Sequence, residues 1–334
     1  MNSVQRDPAA TAHGVPLRRT LGRPLGPDSL TWRFFGDNRM VLLGPRAAVL
    51  QNMLPALGQG VEDHSVWFAE TLARLQRSIP PIYNTVYGAD PEARGHEVRD
   101  FHRPIKGKLP DGSAYSALHP GTFYWAHACF VEHLITATDT FIRRLTRAEK
   151  EQIFAESITW FEHYGVSSRG TPGTYAEFES YFEHALEERL VAHRTAAYGV
   201  GYATKGWPRP KQIPAPVWWL IRRPVNAVSS SLTIGGLPPR AREILGLPWN
   251  EVRERRYQRF ARVSRGVSRL YNRLPGHHRM NPIALRAYRR EGCRPCPGPH
   301  QETRPTRPAE VRRHGGARTT TSARRSRRGR TRRR

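Results

Sequence analysis

From Leu30 onward apolar residues recur at helical spacing. Arg46 to Leu57 puts Ala47, Val49, Leu50, Met53 and Leu54 on one side, and Val66 to Ser78 repeats the pattern with Phe68, Leu72 and Leu75. Pro80-Pro81 predicts the end of that second helix, because proline lacks the backbone N–H and its ring clashes with the preceding turn. His96 to His102 reads as the end of a further helix, followed by a link, Lys106 to Ser113, whose Pro110-Asp111-Gly112 is a turn. After His119-Pro-Gly-Thr122 comes the most apolar stretch, Phe123 to Arg143, whose apolar side chains point in nearly every direction. Such a helix is buried on all sides and central. Thr146-Arg-Ala-Glu149 matches a capping box and opens a helix to about Tyr164, ended by Gly165. A helix from Tyr175 to about Ala197 follows, with Glu177, Glu179, Glu183, Glu187 and Glu188 on its exposed sides. With no strand alternation and no repeat, the expected fold class is all-α.

The last long helix, Trp249 to Leu274, has two stripes. Val252, Phe260, Val263, Val267, Leu270, Tyr271 and Leu274 share one sector; Arg255, Arg259, Arg262, Arg265, Arg269 and Arg273 share another, and Arg253 and Arg256 interrupt the pattern. The favoured expectation is a surface helix docked by its apolar stripe with its arginines in solvent; the alternative is an arginine face that grips phosphate or an anionic membrane. Val217-Trp-Trp-Leu-Ile221, followed by Arg222-Arg223, is read either as core or as a headgroup-level contact through Trp218 and Trp219. The ends lack a periodic apolar pattern, so residues 1–29 are expected to be a mobile lead-in and 291–334 a disordered Arg-rich tail. The helical domain then spans 30–290.

Charge refines this division. The chain has 54 Lys plus Arg against 28 Asp plus Glu, a net +26. Residues 240–300 hold fifteen Arg and four acids, and 301–334 hold thirteen Arg and two acids, leaving a net of only +4 for residues 1–239. The partner-suggesting charge therefore belongs to the C-terminal third, where it suits weak, sequence-blind polyanion binding; no motif that reads DNA sequence is present. Three cysteines cannot build a disulfide framework, and the first 28 residues have no apolar signal core, so the cytoplasm is the default compartment.

His127 is the most unusual residue, an imidazole within the all-apolar helix. It is either a core histidine bonded to a carbonyl or a ligand to a metal or haem iron. His-Glu-x-x-His and Glu-x-x-His are absent, which argues against a zinc protease and a ferritin-like di-iron bundle. His133 follows His127 by six residues, about 240° around the helix, so the two cannot share a metal from one face. Cys293-Arg-Pro-Cys296 with His300 lacks a second ligand pair for a zinc site.

Several segments, in order, resemble the MpaB/rubber oxygenase catalytic domain family. They are Leu30-Thr-Trp-Arg-Phe-Phe-Gly-Asp37, Leu43-Gly-Pro-Arg-Ala-Ala-Val-Leu-Gln51, Val98-Arg-Asp-Phe-His102 leading to Asp111-Gly-Ser-Ala-Tyr115, His119-Pro-Gly-Thr-Phe-Tyr-Trp-Ala-His-Ala128, and Leu237-Pro-Pro-Arg-Ala-Arg-Glu-Ile-Leu-Gly-Leu-Pro-Trp249. The resemblance covers roughly Leu30 to Arg290 and implies a globin-like helical catalytic domain. The activity it implies is that of an oxidoreductase acting with dioxygen on a hydrophobic, isoprenoid-like small molecule. It further implies haem b with His127 as the axial iron ligand, Phe123 and Phe130 beside the cofactor, and Arg99, His102 and Arg103 on the opposite, dioxygen-binding side. His102 stands where that family is expected to carry Lys, and Arg103 where it is expected to carry Thr, which leaves bis-histidine iron conceivable. The rival function is non-enzymatic binding of a polyanion or membrane surface by the basic C-terminal third.

Overall fold

The computed structural model describes residues 21–65, 71–206, 209 and 213–295. The expected tail from 296 onward, the first 20 residues and the start of the predicted 66–78 helix lie outside them, as do Cys296 and His300. The architecture is all-α. In chain order the helices are α1 (Leu30–Phe35), a 3-10 segment (Asn38–Leu43), α2 (Gly44–Asn52), α3 (Pro55–His64), α4 (Thr71–Tyr87), α5 (Pro91–Phe101), α6 (Pro120–Ala137), α7 (Arg147–Glu162), α8 (Tyr175–Glu188) and α9 (Arg194–Lys205). They continue with α10 (Ala215–Gly236), α11 (Pro239–Ile244), α12 (Glu251–Tyr271), α13 (Gly276–Arg279) and α14 (Pro282–Arg290). Among the described residues the one sheet is a hairpin, β1 (Lys106–Lys108) antiparallel to β2 (Ala114–Ser116), closed by the Pro110-Asp-Gly112 turn with Gly112 at φ +86°.

Helix α6 is the central element. Trp125, Ala128, Cys129, Val131, Leu134 and Ala137 are almost wholly buried in a core that also takes side chains from α1, α2, α4, α7, α8 and α14. Proline at its first position and no acid until Glu132 leave nothing to stop it burying every face. The carboxylate of Glu156 on α7 accepts from Leu30 N (3.0 Å), Thr31 N (2.7 Å) and Thr31 Oγ1 (2.7 Å), so it caps the free donors of α1 from 125 residues away. The capping box of α7 forms as expected, with Thr146 and Glu149 satisfying each other's backbone N–H.

Several expected boundaries change. The 46–57 helix is two helices, because Pro55 starts α3 and forces Leu54 into an extended conformation at φ −73°, ψ 123°. Pro80 and Pro81 do not end α4, which runs through them to Tyr87. Pro80 and Pro81 offer no N–H to the carbonyls of Gln76 and Arg77, but both residues are exposed to water, and burial of Val86 and Tyr87 anchors the following turns. The 175–197 helix ends at Glu188, after which Val191 N crosses to the Met53 carbonyl at 2.9 Å before α9 begins. The chain is tied down before Leu30: Arg23 N donates to Ala155 O at 3.0 Å.

The predicted 123–143 helix passes at Ala137 into a π-type turn, Thr138–Ile142. Carbonyls freed there are met by α12: Ser264 and Ser268 each donate to Phe141 O at 3.1 Å, and Arg265 donates to Asp139 O at 3.0 Å and Thr140 O at 3.2 Å. Helix α12 therefore docks by Tyr257, Ala261, Ser264 and Ser268, not by its apolar stripe, and Val252, Val263, Val267 and Leu270 face solvent. That overturns the expected orientation. Trp219 is 69% exposed, so the core reading fails for it, while Trp218 is half-buried.

Candidate functional site

His127 is 2% exposed and faces α7. Its Nε2 lies 3.1 Å from the Ser157 carbonyl, and since a carbonyl only accepts, Nε2 carries the hydrogen and Nδ1 presents a bare lone pair. Among the described residues no partner meets that lone pair. The ring is walled by Trp160 (centroids 5.0 Å), Phe161 (5.2 Å), Tyr124 (6.0 Å) and Tyr164 (6.0 Å). Burial among them pushes the imidazole pKa down to about 3, against a smaller upward pull from the Ser157 bond. The group is thus a neutral, oriented imidazole in a dry aromatic pocket. The core-histidine reading is met at Nε2, which bonds the Ser157 carbonyl. Tyr124, Ser157 and Phe161, each of which contacts His127, also line a small cleft with Glu162 and Thr171.

His102 caps the C-terminus of α5 and is turned onto its own helix, with Nδ1 2.7 Å from the Val98 carbonyl. Burial lowers its pKa, and nearby Arg74 adds to this against the upward pull of the Val98 bond. Its ring packs on Phe123 at 5.6 Å; Phe123 in turn meets Tyr164 (5.2 Å) and Phe161 (6.2 Å), both of which touch His127. Two successive rings, Phe123 and then Tyr164 or Phe161, therefore connect the two histidines, and among the described residues no direct ring contact joins them. Arg99 and Arg103 are both engaged by Asp100, at 2.9 Å and 2.7 Å, and hold its carboxyl at about 2. Arg103 is 67% exposed at the solvated end of α5. Phe123 is buried next to the His127 cage, whereas Phe130, half-buried, reaches only Trp160 at 6.1 Å.

A second polar group sits on another face of α6. The guanidinium of Arg46, 1% exposed, pairs in a fork with Glu132 and donates through Nε to the Gly236 carbonyl; Thr136 Oγ1 donates to Glu132 at 2.7 Å. Burial pulls the Arg46 pKa down, but Glu132 outweighs it and leaves it raised; burial pushes Glu132 up, and Arg46 outweighs that and leaves it lowered. Beside them His133 is 6% exposed, also lacks a partner at Nδ1, and burial, aided by Arg46, pushes it down to about 4. Sequence reasoning missed Ser157 and the Arg46–Glu132 pair. Ser157 acts through its backbone and leaves no side-chain signal, but Glu132 did, as the one acid in α6. Among the described residues no three His, Cys, Asp or Glu side chains cluster as a metal site.

The family model described as the ER-bound oxygenase mpaB/B'/rubber oxygenase catalytic domain matches residues 32–266. The chain belongs to this family. The match runs from α1 to α12 and includes the His127 cage, the end of α5 and the Arg46–Glu132 pair. No curated protein and no solved structure matches the chain. The protein is accordingly an oxidoreductase of the oxygenase class, for which dioxygen and a small molecule are the substrates. Among the described residues no helix is long and apolar enough to cross a membrane.

Proposed function

We propose that this member of the family is a haem b-dependent oxygenase, with His127 as the axial iron ligand and a hydrophobic, isoprenoid-like alkene as substrate. The observation that carries the reading is the unpartnered ring nitrogen of a neutral imidazole buried among four aromatic rings, a lone pair free for a metal; a haem-binding histidine ordinarily offers Nε2, so the ring would turn over and pass the Ser157 bond to Nδ1. When bound, the haem would supply activation of dioxygen for attack on a carbon–carbon double bond.

The chain's own residues have separate tasks in this scheme. The Ser157 carbonyl fixes the tautomer and tilt of His127, as an outer partner does for a metal-bound histidine. Trp160, Phe161, Tyr164 and Tyr124 exclude water and favour an apolar substrate. Arg99, His102 and Arg103 are assigned the dioxygen side by the resemblance. His102 stands two rings away, so Phe123 and Tyr164 must both turn aside before it can donate a proton or polarise oxygen there, and Asp100 holds both arginines at the end of α5.

The test is the absorption spectrum of full-length protein purified after expression with ample haem supply. A Soret band is expected in the parent, lost in His127→Ala and kept in His133→Ala, a variant that removes an equally buried imidazole with an equally unpartnered Nδ1. Colourless protein without iron on elemental analysis refutes the haem reading. A band that survives His127→Ala but disappears in His133→Ala moves the ligand to another face of α6 and refutes the assignment. Polyanion binding by the tail rests on charge alone, and predicts salt-sensitive, sequence-blind retention that is lost with residues 293–334.

A further inference from the structure

Helix α12 shows an uncommon combination: its apolar stripe is exposed while its polar face is docked. At about 100° per residue the buried positions Tyr257, Ala261 and Ser268 centre roughly 130° away from the stripe. Val252 is 46% exposed, Val263 57%, Val267 52%, Leu270 65% and Leu274 44%. The helix cannot roll to bury them. Ser264, Ser268 and Arg265 are spent on the carbonyls of residues 139–141, and Arg39 donates to Ser268 Oγ at 2.6 Å and to Asn272 Oδ1 at 3.0 Å while lying 4.3 Å over the Tyr271 ring. Rolling the stripe inward would break all of these contacts and leave those carbonyls unpaired.

Beside the stripe runs an exposed arginine row, Arg255, Arg259, Arg262, Arg269 and Arg273. Helix α10, which meets α12 where Gly235 approaches Tyr257, repeats the composition over its first turns, with Trp219 69% and Leu220 72% exposed beside exposed Arg222 and Arg223. The sequence holds no Asp or Glu between Glu188 and Glu243, nor between Glu254 and Glu291.

We propose that the stripe and arginine row of α12, together with the exposed end of α10, form a docking surface for an anionic lipid bilayer. The charge selects the occupant. A second copy would set arginine against arginine, and the chain's own 301–334 segment, with thirteen Arg and two acids, is repelled in the same way. A nucleic acid would satisfy the arginines but leave Val263, Val267 and Leu270 in water, since stacking on bases needs aromatic rings, not aliphatic ones. A bilayer with acidic headgroups takes both: apolar side chains enter the acyl boundary, guanidinium groups meet phosphate, and an indole suits the boundary itself. The surface does not depend on the haem reading, since none of its residues touches His127.

The experiment is sedimentation of full-length protein with vesicles of phosphatidylcholine alone, or mixed with about one third phosphatidylglycerol. The parent is compared with Val263→Ser/Leu270→Ser and with Trp219→Ser/Leu220→Ser. These side chains are exposed, so both variants should unfold thermally with the parent, and the tail is the same in all three. The parent is expected to partition at least tenfold better onto the anionic vesicles, with Val263→Ser/Leu270→Ser losing at least tenfold of that partition and Trp219→Ser/Leu220→Ser several-fold. Unchanged partition of Val263→Ser/Leu270→Ser overturns the proposal, because the tail's charge alone then holds the vesicle. Unchanged partition of Trp219→Ser/Leu220→Ser removes α10 from the surface. A parent that ignores vesicles but dimerises, with the α12 variant monomeric, makes the face a self-interface; a parent that prefers polyuridine to vesicles makes it a nucleic-acid surface. Either outcome overturns the lipid assignment.

Discussion

Acidification should unfold this protein through two histidines of one helix. His127 and His133 are 2% and 6% exposed, and burial pushes their pKa values from the ordinary 6.5 to about 3 and about 4. In the unfolded chain both rings take a proton near pH 6.5, whereas in the folded chain neither does until pH reaches about 4 and then about 3. Between those limits the unfolded state binds more protons, so their contribution to stability is complete above about pH 6.5 and is lost as pH falls toward 4 and 3. At about pH 5 the loss is roughly 1.4 kcal/mol for each of about 1.5 pH units, or about 2 kcal/mol per ring and about 4 kcal/mol for both. Against a typical domain stability of about 5–15 kcal/mol that is a large share. Urea unfolding of the haem-free parent at about pH 7.5, 6 and 5 reads it directly. His127→Phe leaves the Ser157 carbonyl short of a donor and will shift absolute stability, whereas the amide of His133→Gln can still donate to the Met40 carbonyl, and each variant should remove about half of the pH-dependent part. If both variants keep the parent's full pH slope, other groups carry the acid sensitivity and the argument from burial fails.

Two further substitutions probe the frame around the site. Arg46→Met strands the Glu132 carboxylate and frees the Gly236 carbonyl, and should cost about 3–5 kcal/mol in urea unfolding. Adding Glu132→Leu should recover most of that; a single variant as stable as the parent would show the pair to be dispensable. Gly95→Ala puts a Cβ 2.1 Å from the His163 carbonyl oxygen and 2.4 Å from its carbon, backbone that cannot swing away, so α5 must back off from the end of α7 at a cost of about 1–3 kcal/mol. Thermal unfolding checks this, and an unshifted Tm means that the two helices do not rest on each other there.

How much of the site was legible depends on which atoms carry it. His127 stood out in the sequence because an imidazole in an all-apolar helix is a polar group with no evident partner, and Glu132 carries the same signal in the same helix. What answers each of them was hidden. Ser157 acts through its carbonyl, which any residue would have supplied, and Arg46 lies 86 positions from Glu132 in a stretch that reads as one apolar face. The α5 residues show a further failure. The resemblance, not spacing, groups Arg99, His102 and Arg103, and nothing in the sequence shows that Asp100 ties both arginines at the helix end while Val98 holds the histidine. Local acceptors therefore decide where they point. Pro80-Pro81 misled for a related reason: the cost of proline in a helix assumes that the freed carbonyls are lost, and here they belong to residues that water reaches.

The orientation of α12 shows why periodicity alone could not have settled the surface. A wheel resolves its stripes, and the valines and, Arg265 apart, the row of arginines do fall in the two sectors expected. Which sector turns inward is not a property of α12 alone. It depends on the π-type turn at the end of α6, which leaves the carbonyls of residues 139–141 needing donors, and on a third sector of the wheel, Ser264, Arg265 and Ser268, that supplies them. Leaving such carbonyls unpaired costs about 1–3 kcal/mol apiece, and three of them together outweigh the gain from burying a few half-exposed valines at roughly 25 cal/mol per Å2. The apolar stripe is exposed because the end of the helix that carries His127 requires polar partners more than the core requires additional aliphatic side chains.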